Sequence, residues 1–146
     1  MLDNLVINEL NLQSEDYPKF KALREKILRL PLGLKLDNKD LENDKNSFLF
    51  GAYLNNIPSG FVMLQKTNST SIRLRQMCIE EKLQGQGIGK KLVEFAEFWS
   101  ESNGYNEITM SARVEAENFY LKIGYKKTSA PYNYLTIPHI DMYKKL

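Results

Sequence analysis

The 146-residue sequence has one cysteine, Cys78, and one histidine, His139. A single cysteine cannot form a disulfide within the chain, and such scarcity is ordinary for a reducing compartment. A lone histidine is more often a polar surface or packing residue than part of a site. We therefore predict no internal disulfide and no metal site.

Net charge and long apolar runs are scarce as well. The chain carries 20 basic and 18 acidic residues, a formal net charge of +2, and no basic stripe with interleaved aromatic residues. These features give no support for a nucleic-acid partner. No apolar stretch approaches the length that spans a bilayer, and the N-terminus lacks a cationic start followed by an apolar core. We expect a cytoplasmic protein that binds neither nucleic acid nor membrane.

The length suits one domain, residues 1–146, which is large enough to bury a core. Residues 36–45 are rich in Asp, Asn and Lys and are predicted to form a solvated loop, with at most a short helical turn. Hydrophobic spacing predicts strands at 5–12, 47–54, 60–66, 70–79, 107–112, 125–128 and 137–144, and helices at 14–30, 90–102 and 115–123. This order predicts a mixed α/β fold, with a mostly antiparallel twisted sheet of about seven strands and helices on both faces.

The most informative segment is Gln84-Gly85-Gln86-Gly87-Ile88-Gly89, between the predicted strand 70–79 and the predicted helix 90–102. Glycines at alternate positions remove Cβ atoms from the turn, so main-chain N–H groups can approach a ligand closely. The helix that follows adds its unpaired first-turn donors and the positive end of its dipole. The segment therefore predicts a site for an anion, most often a phosphate or pyrophosphate.

Two common phosphate-binding loops fit this segment poorly. In a P-loop, Gln84 would stand where the first glycine belongs, and Lys91 would replace the metal-binding hydroxyl. A dinucleotide fingerprint requires a glycine at the position of Lys90. On this motif alone, a plain strand-to-helix turn without a ligand stays open.

A different pattern, Q/R-x-x-G-x-G/A, is satisfied by Gln84, Gly87 and Gly89. It resembles the acetyl-CoA pyrophosphate loop of the GNAT superfamily of N-acyltransferases. A second set of residues resembles the A-x-x-F-Y-x-x-x-G-[FY] signature that follows the fifth strand of that superfamily: Ala116, Phe119, Tyr120, Gly124 and Tyr125. Together the motifs cover about the last half of the chain, in the order and spacing of the superfamily.

The resemblance implies an acetyl-CoA-dependent N-acetyltransferase that moves the acetyl group to a primary amine of a small molecule or peptide. Transfer would be direct, in a ternary complex, with acetyl-CoA as cosubstrate and no metal. The strands before and after the loop and its helix would splay apart to admit the pantetheine arm. The implied coenzyme contacts are Met77, Cys78, Ile79, Gln84, Gly85, Gln86, Gly87, Ile88, Gly89 and Lys90.

Two further coenzyme candidates follow from the resemblance. Arg113 stands where many relatives carry an asparagine that bonds the pantetheine arm, and its partner here is coenzyme, substrate or solvent. Asn118 either faces the cofactor or is a solvated polar residue.

The resemblance also implies catalytic roles. Tyr120 matches the tyrosine that protonates the departing thiolate in many relatives, the alternative being a core aromatic beside Phe119. In some relatives a glutamate acts as the general base, but Arg73 occupies its place in this sequence. Water and His139 are therefore the alternatives for removing the amine proton. An acyl intermediate on Cys78 is disfavoured, because no histidine lies near it in sequence and a buried cysteine is usually a small hydrophobe.

The acceptor side is less defined. Residues 31–45 would form part of the acceptor pocket, since the connection after the first helix does so in relatives. The acidic residues there would attract a cationic amine, or simply keep a loop soluble: Asp37, Asp40, Glu42 and Asp44. A CoA-binding regulatory module without turnover is the alternative function. A homodimer paired through the final strands is also open.

Overall fold

The hydrophobic spacing of the sequence produces a twisted sheet with helices packed on it. The structure, a computed structural model, describes residues 2–146. Its strands are β1 (Leu5–Leu10), β2 (Phe48–Leu54), β3 (Ile57–Lys66), β4 (Ser71–Ile79), β5 (Glu107–Arg113), β6 (Lys126–Lys127), β7 (Tyr132–Tyr134) and β8 (Ile137–Lys145). Its α-helices are α1 (Tyr17–Arg24), α2 (Asn38–Lys45), α3 (Ile88–Ser102) and α4 (Glu117–Lys122). A π-helical turn, Glu25–Arg29, continues α1, and short 3₁₀ turns lie at Leu30–Leu32, Glu81–Leu83 and Val114–Ala116.

The eight strands of the described chain form one sheet in the order β1-β2-β3-β4-β5-β8-β6, and β7 pairs with β8. Only β4 and β5 pair in parallel; the other neighbours are antiparallel. The predicted mixed, mostly antiparallel sheet is confirmed, with one strand more than was predicted. The prediction missed β7 because three residues are too few to show an alternation.

Each face of the sheet carries its own apolar core. Along β3, Val62 and Leu64 pack into the core beneath α3 and α4, whereas Phe61 and Met63 pack into the core beneath α1. The alternation follows from the two-residue period of a strand. A central strand buried on both sides in this way requires helices on both faces, as predicted. Within residues 2–146, none of the helices combines the length and apolar character that crossing a bilayer demands.

The segment predicted as a solvated loop is in fact helix α2. The Asp40 amide donates to the Asp37 carboxylate at 2.8 Å, and the Asp37 amide donates to the Asp40 carboxylate at 3.1 Å. This reciprocal capping box satisfies two helix-end donors. The loop prediction was wrong because a polar helix of eight residues shows little apolar periodicity, while its cap was readable as Asp-x-x-Asp.

A fully buried ion pair joins this helix to the rest of the protein. The Arg24 guanidinium donates two hydrogen bonds of 2.8 Å to the Asp44 carboxylate, and neither side chain is exposed to solvent. The hydroxyl of Tyr17 also donates to Asp44, and Arg24 Nε donates to Gln76 Oε1 at 2.9 Å. The guanidinium lies 4.6 Å from the ring centre of Phe61. These contacts connect α1, α2 and β4 at one point.

We expect Asp44→Ala to lower the free energy of unfolding by about 3–5 kcal/mol, because it leaves the Arg24 charge buried without its partner. Urea denaturation followed by far-UV circular dichroism measures this change. The matched control is Glu42→Ala on the same helix, whose carboxylate is largely exposed and whose loss should cost less than about 0.5 kcal/mol. Equal effects of the two substitutions would contradict a structural role for the ion pair.

Candidate active site

The two parallel strands at the centre of the sheet pair over a short length only. Ser71–Leu74 of β4 pairs with 107–110 of β5, and no pairing continues beyond Leu74. The register of β4 on β3 shifts just after this point, and Gln76 has a left-handed φ of 52°. A bulge of this kind bends a strand and increases its twist. The strands therefore part, and a cavity of about 190 Å³ opens between them.

The cavity has an apolar side and a cationic side. Its apolar lining belongs to the core beneath α3 and α4, and comprises Leu74, Met77, Met110, Ala112, Ala116 and Tyr120. Along β5, Ser111 and Arg113 alternate with Met110 and Ala112 and so point to the opposite face of the sheet. The charged and titratable lining on that side comprises Arg29, Arg73, Arg75, Arg113 and His139.

The glycine segment forms an exposed turn that leads into α3. Gly85 and Gly87 have φ values of 81° and 94°, which non-glycine residues rarely adopt, and Ile88 anchors the turn in the core. Within residues 2–146, the amides from Gly85 to Lys90 donate to no protein acceptor. The side-chain amide of Gln84 donates to the carbonyl of Ile79 at 3.0 Å and so fastens the turn to the end of β4.

The two sequence motifs meet in space beside this turn. A Cβ added at Gly89 would lie 3.5 Å from Phe119 Cζ and 3.7 Å from Met77 Cε. Gly89 belongs to the first motif and Phe119 to the second, while Met77 lines the cavity. The unpaired amides of the turn and the cavity between the strands are thus parts of one continuous region.

Tyr120 lies at the apolar side of the cavity with only 5% of its surface exposed. Its ring contacts Phe119 and Tyr125 edge to face, with centroid distances of 5.0 and 5.7 Å. Burial raises the pKa of the Tyr120 phenol, so its proton is retained at neutral pH. Burial is the only cause of this shift, with no contribution from a hydrogen bond to another protein group. The phenol can therefore donate a proton to a molecule in the cavity.

His139 lies on the cationic side, opposite Arg113 in the pairing of β5 with β8. The imidazole is buried, and its Nδ1 is 3.0 Å from the carbonyl oxygen of Ile137. A proton on Nδ1 would bond that carbonyl and leave Nε2 with a free lone pair. The ring of Tyr134 contacts the imidazole edge to face, with 5.1 Å between the ring centroids.

The remaining sequence candidates have different surroundings. Arg113 is half-buried on the cationic side, and its Nη2 donates to the carbonyl of Leu28 at 2.9 Å. Gln86, Lys90 and Asn118 are exposed and do not line the cavity. The structure thus places Arg113 within the cavity lining and Asn118 outside it.

Sequence reasoning missed two cationic lining residues, Arg29 and Arg75. The alternation of Arg73 and Arg75 with Ile72 and Leu74 was a readable sign that both arginines share one face of β4. The acidic residues assigned to the acceptor pocket have other partners. Asp40 binds Arg29, and the other three carboxylates cap α2, pair with Lys45 and neutralise Arg24: Asp37, Glu42 and Asp44.

Comparison with known proteins identifies the family. The family described as acetyltransferase (GNAT) domain matches residues 35–146, and the chain belongs to it. A curated acetyltransferase of Bacillus subtilis (strain 168) is 29% identical over 94 residues, which cover 64% of this chain and 63% of that relative. The match therefore spans less than two thirds of that relative's length.

Solved structures agree on the fold. The crystal structure of an N-acetyltransferase from Lactobacillus plantarum has a TM-score of 0.87 at 23% identity, covering 99% of each chain. A GNAT family acetyltransferase from Elizabethkingia anophelis with acetyl-CoA bound has a TM-score of 0.76 at 18% identity, also covering 99% of each chain. The family predicted from the two motifs and the fold predicted from the hydrophobic spacing are confirmed.

Burial raises the pKa of the Cys78 thiol to about 12, so the thiol stays protonated through neutral and mildly alkaline pH. We expect no thiolate step between pH 6 and pH 10 in the ultraviolet difference spectrum of the wild type against Cys78→Ala. The same pair in urea should show a step near pH 8.5, the value for an ordinary cysteine. A thiolate step below pH 8 in the folded protein would restore Cys78 as a candidate nucleophile.

Proposed function

We propose that the protein is an N-acetyltransferase that moves the acetyl group of acetyl-CoA directly to a primary amine. The observation that supports it best is the continuity of two features: unpaired amides on a left-handed glycine turn, and a cavity where β4 parts from β5. The amides of the glycine turn would bind a diphosphate, and the cavity would hold a thioester. Met77 connects them, because it lines the cavity and lies beside Gly89.

The donor would bind across both features. Its diphosphate would accept hydrogen bonds from the amides of residues 85–90, with the positive end of the α3 dipole and the charge of Lys90 adding attraction. The pantetheine arm would follow Met77, Cys78 and Ile79, where β4 has left β5 and its main-chain groups can pair with a ligand. An N–H group there would polarise the thioester carbonyl.

Tyr120 would protonate the departing thiolate. Its raised pKa makes the phenol a weak acid, which at first sight opposes transfer to a thiolate. However, the apolar lining that desolvates the phenol also desolvates the thiolate and raises its proton affinity. The two groups therefore remain matched enough for proton transfer within the cavity.

The amine must lose a proton before or during attack. His139 is a candidate acceptor, because it lines the cavity and one ring nitrogen is left free when the other binds Ile137. Water is the second candidate, since the cavity is open to solvent on its cationic side, where Arg73 is exposed. Direct attack by the amine needs no protein nucleophile, which agrees with the protonated state of Cys78.

We expect Gly87→Ala to weaken CoA binding at least about tenfold, which corresponds to about 1.4 kcal/mol. A Cβ at a φ of 94° costs about 1–2 kcal/mol, and relief of that strain turns the neighbouring amides away from the diphosphate. Isothermal titration calorimetry with CoA measures the effect. Gly104→Ala is the matched control: its φ is 90°, but it lies at the far end of α3. Equal CoA affinities in the two variants would argue against diphosphate binding at the turn.

We expect Tyr120→Phe to lower kcat by about 10²–10⁴-fold, with the KM for acetyl-CoA nearly unchanged, because only the transferable proton is lost. Release of free CoA thiol in the presence of a panel of primary amines measures it. The matched control, Tyr125→Phe, removes the neighbouring hydroxyl, which bonds Glu97 at 2.9 Å, and should keep kcat near that of the wild type. Wild-type turnover in Tyr120→Phe would exclude the acid role. Tight CoA binding without thiol release from any amine would indicate a regulatory CoA-binding module instead.

A further inference from the structure

The cationic side of the cavity carries more positive charge than its carboxylate partners neutralise. Four guanidinium groups and an imidazole line it, and no carboxylate does so among residues 2–146. Arg29 Nη2 lies 3.2 Å from Asp40 Oδ1. Arg113 Nη1 lies 3.8 Å from Oε1 of Glu115, whose side chain is largely exposed. Arg75 instead donates to the neutral side-chain amide of Gln65 at 3.1 Å. The side where an acceptor would enter is therefore positive.

Two of these guanidinium groups converge on one atom. The carbonyl oxygen of Leu28 accepts from Arg113 Nη2 at 2.9 Å and from Arg29 Nη1 at 3.4 Å. One neutral oxygen thus holds two like charges together, with Arg29 only 5% exposed. Burial lowers the pKa of Arg113; Glu115 opposes this effect, and the neighbouring charge of Arg29 adds to it. An oxyanion bound beside the pair would offset this repulsion and accept their remaining donors.

Given the proposed transferase function, we propose that the acceptor is a small primary amine that also carries an oxyanion, bound by Arg29, Arg75 and Arg113. The amine would then point toward the apolar side, where Tyr120 lies. Because the thioester would occupy part of the cavity of about 190 Å³, the remaining space suits a small acceptor such as an amino acid rather than a long chain. A polyamine would meet the same charges and be repelled. The acidic residues of the α2 segment do not reverse this field, because Asp40 and Asp44 pair with arginines, Asp37 caps the helix and the exposed Glu42 pairs with Lys45.

Thiol release from acetyl-CoA with matched acceptors tests the proposal. The panel holds α- and ω-amino carboxylates, the corresponding amides, aminoalkyl phosphonates and diamines of equal length. We expect a carboxylate or phosphonate acceptor to exceed its amide at least tenfold in kcat/KM, with the two oxyanions compared directly to identify the better one. A preference for amides or diamines would overturn the proposal while leaving the transferase function intact.

Variants locate the oxyanion within the cavity. We expect Arg75→Gln and Arg113→Gln each to raise the KM of the anionic acceptor at least tenfold and to leave the KM of acetyl-CoA unchanged, which also reports correct folding. The control Lys66→Gln removes an exposed charge at the end of β3, outside the cavity lining, and should change neither value. An unchanged acceptor KM in both arginine variants would overturn the assignment.

Calorimetry separates failure of this proposal from failure of the proposed function. Each anionic amine is titrated into the wild type and Arg75→Gln, both saturated with CoA. We expect binding that the substitution weakens at least tenfold. If an amine binds in this way but no amine releases thiol, the anion site stands and the transferase function fails. If none of the anionic amines binds, the proposal fails.

Discussion

The whole site depends on how briefly β4 and β5 pair. Their parallel ladder ends at Leu74, and the bulge at Gln76 then turns β4 away. A buried ion pair holds that bulge in place, because Arg24 binds both Gln76 and Asp44. Gln76 keeps a buried side-chain Nε2 without a partner among residues 2–146, which costs about 1–3 kcal/mol. Such a cost at the point of parting is typical of a functional site, where stability is given up for a binding cleft.

The parting also arranges the charges of the site. On one side, the glycine turn and the first turn of α3 present unpaired amides, and on the other side arginines line the cavity. Between them lies the apolar lining of the cavity, which includes the phenol of Tyr120. Two regions that attract anions, separated by an apolar lining, agree with the proposed reaction between an anionic coenzyme and an amine that carries an oxyanion. The alternation along β5 produces this separation, because Ala112 and Arg113 face opposite sides of the sheet.

The sequence predicted the long helices and strands well, but it did not predict features that depend on contacts between distant parts of the chain. Hydrophobic periodicity located the long strands and α3, and Gly87 and Tyr120 marked the candidate site through short motifs whose spacing is local. The bulge at Gln76 was not predictable, because it depends on a register with β3 and on Arg24 from another helix. Arg73 and Arg75 were readable as neighbours on one strand face, but the convergence of Arg29 and Arg113 was not, because they are far apart in sequence and meet at the carbonyl of Leu28.

The most direct measurement is a crystal structure of the protein with CoA. We expect the diphosphate within hydrogen-bond distance of the amides between Gly85 and Lys90, and the pantetheine sulfur between β4 and β5 near Tyr120. We also expect the arginine side of the cavity to remain free of the coenzyme. A diphosphate bound at Arg75 and Arg113, or a pantetheine arm that avoids the gap between the strands, would contradict this arrangement of the site.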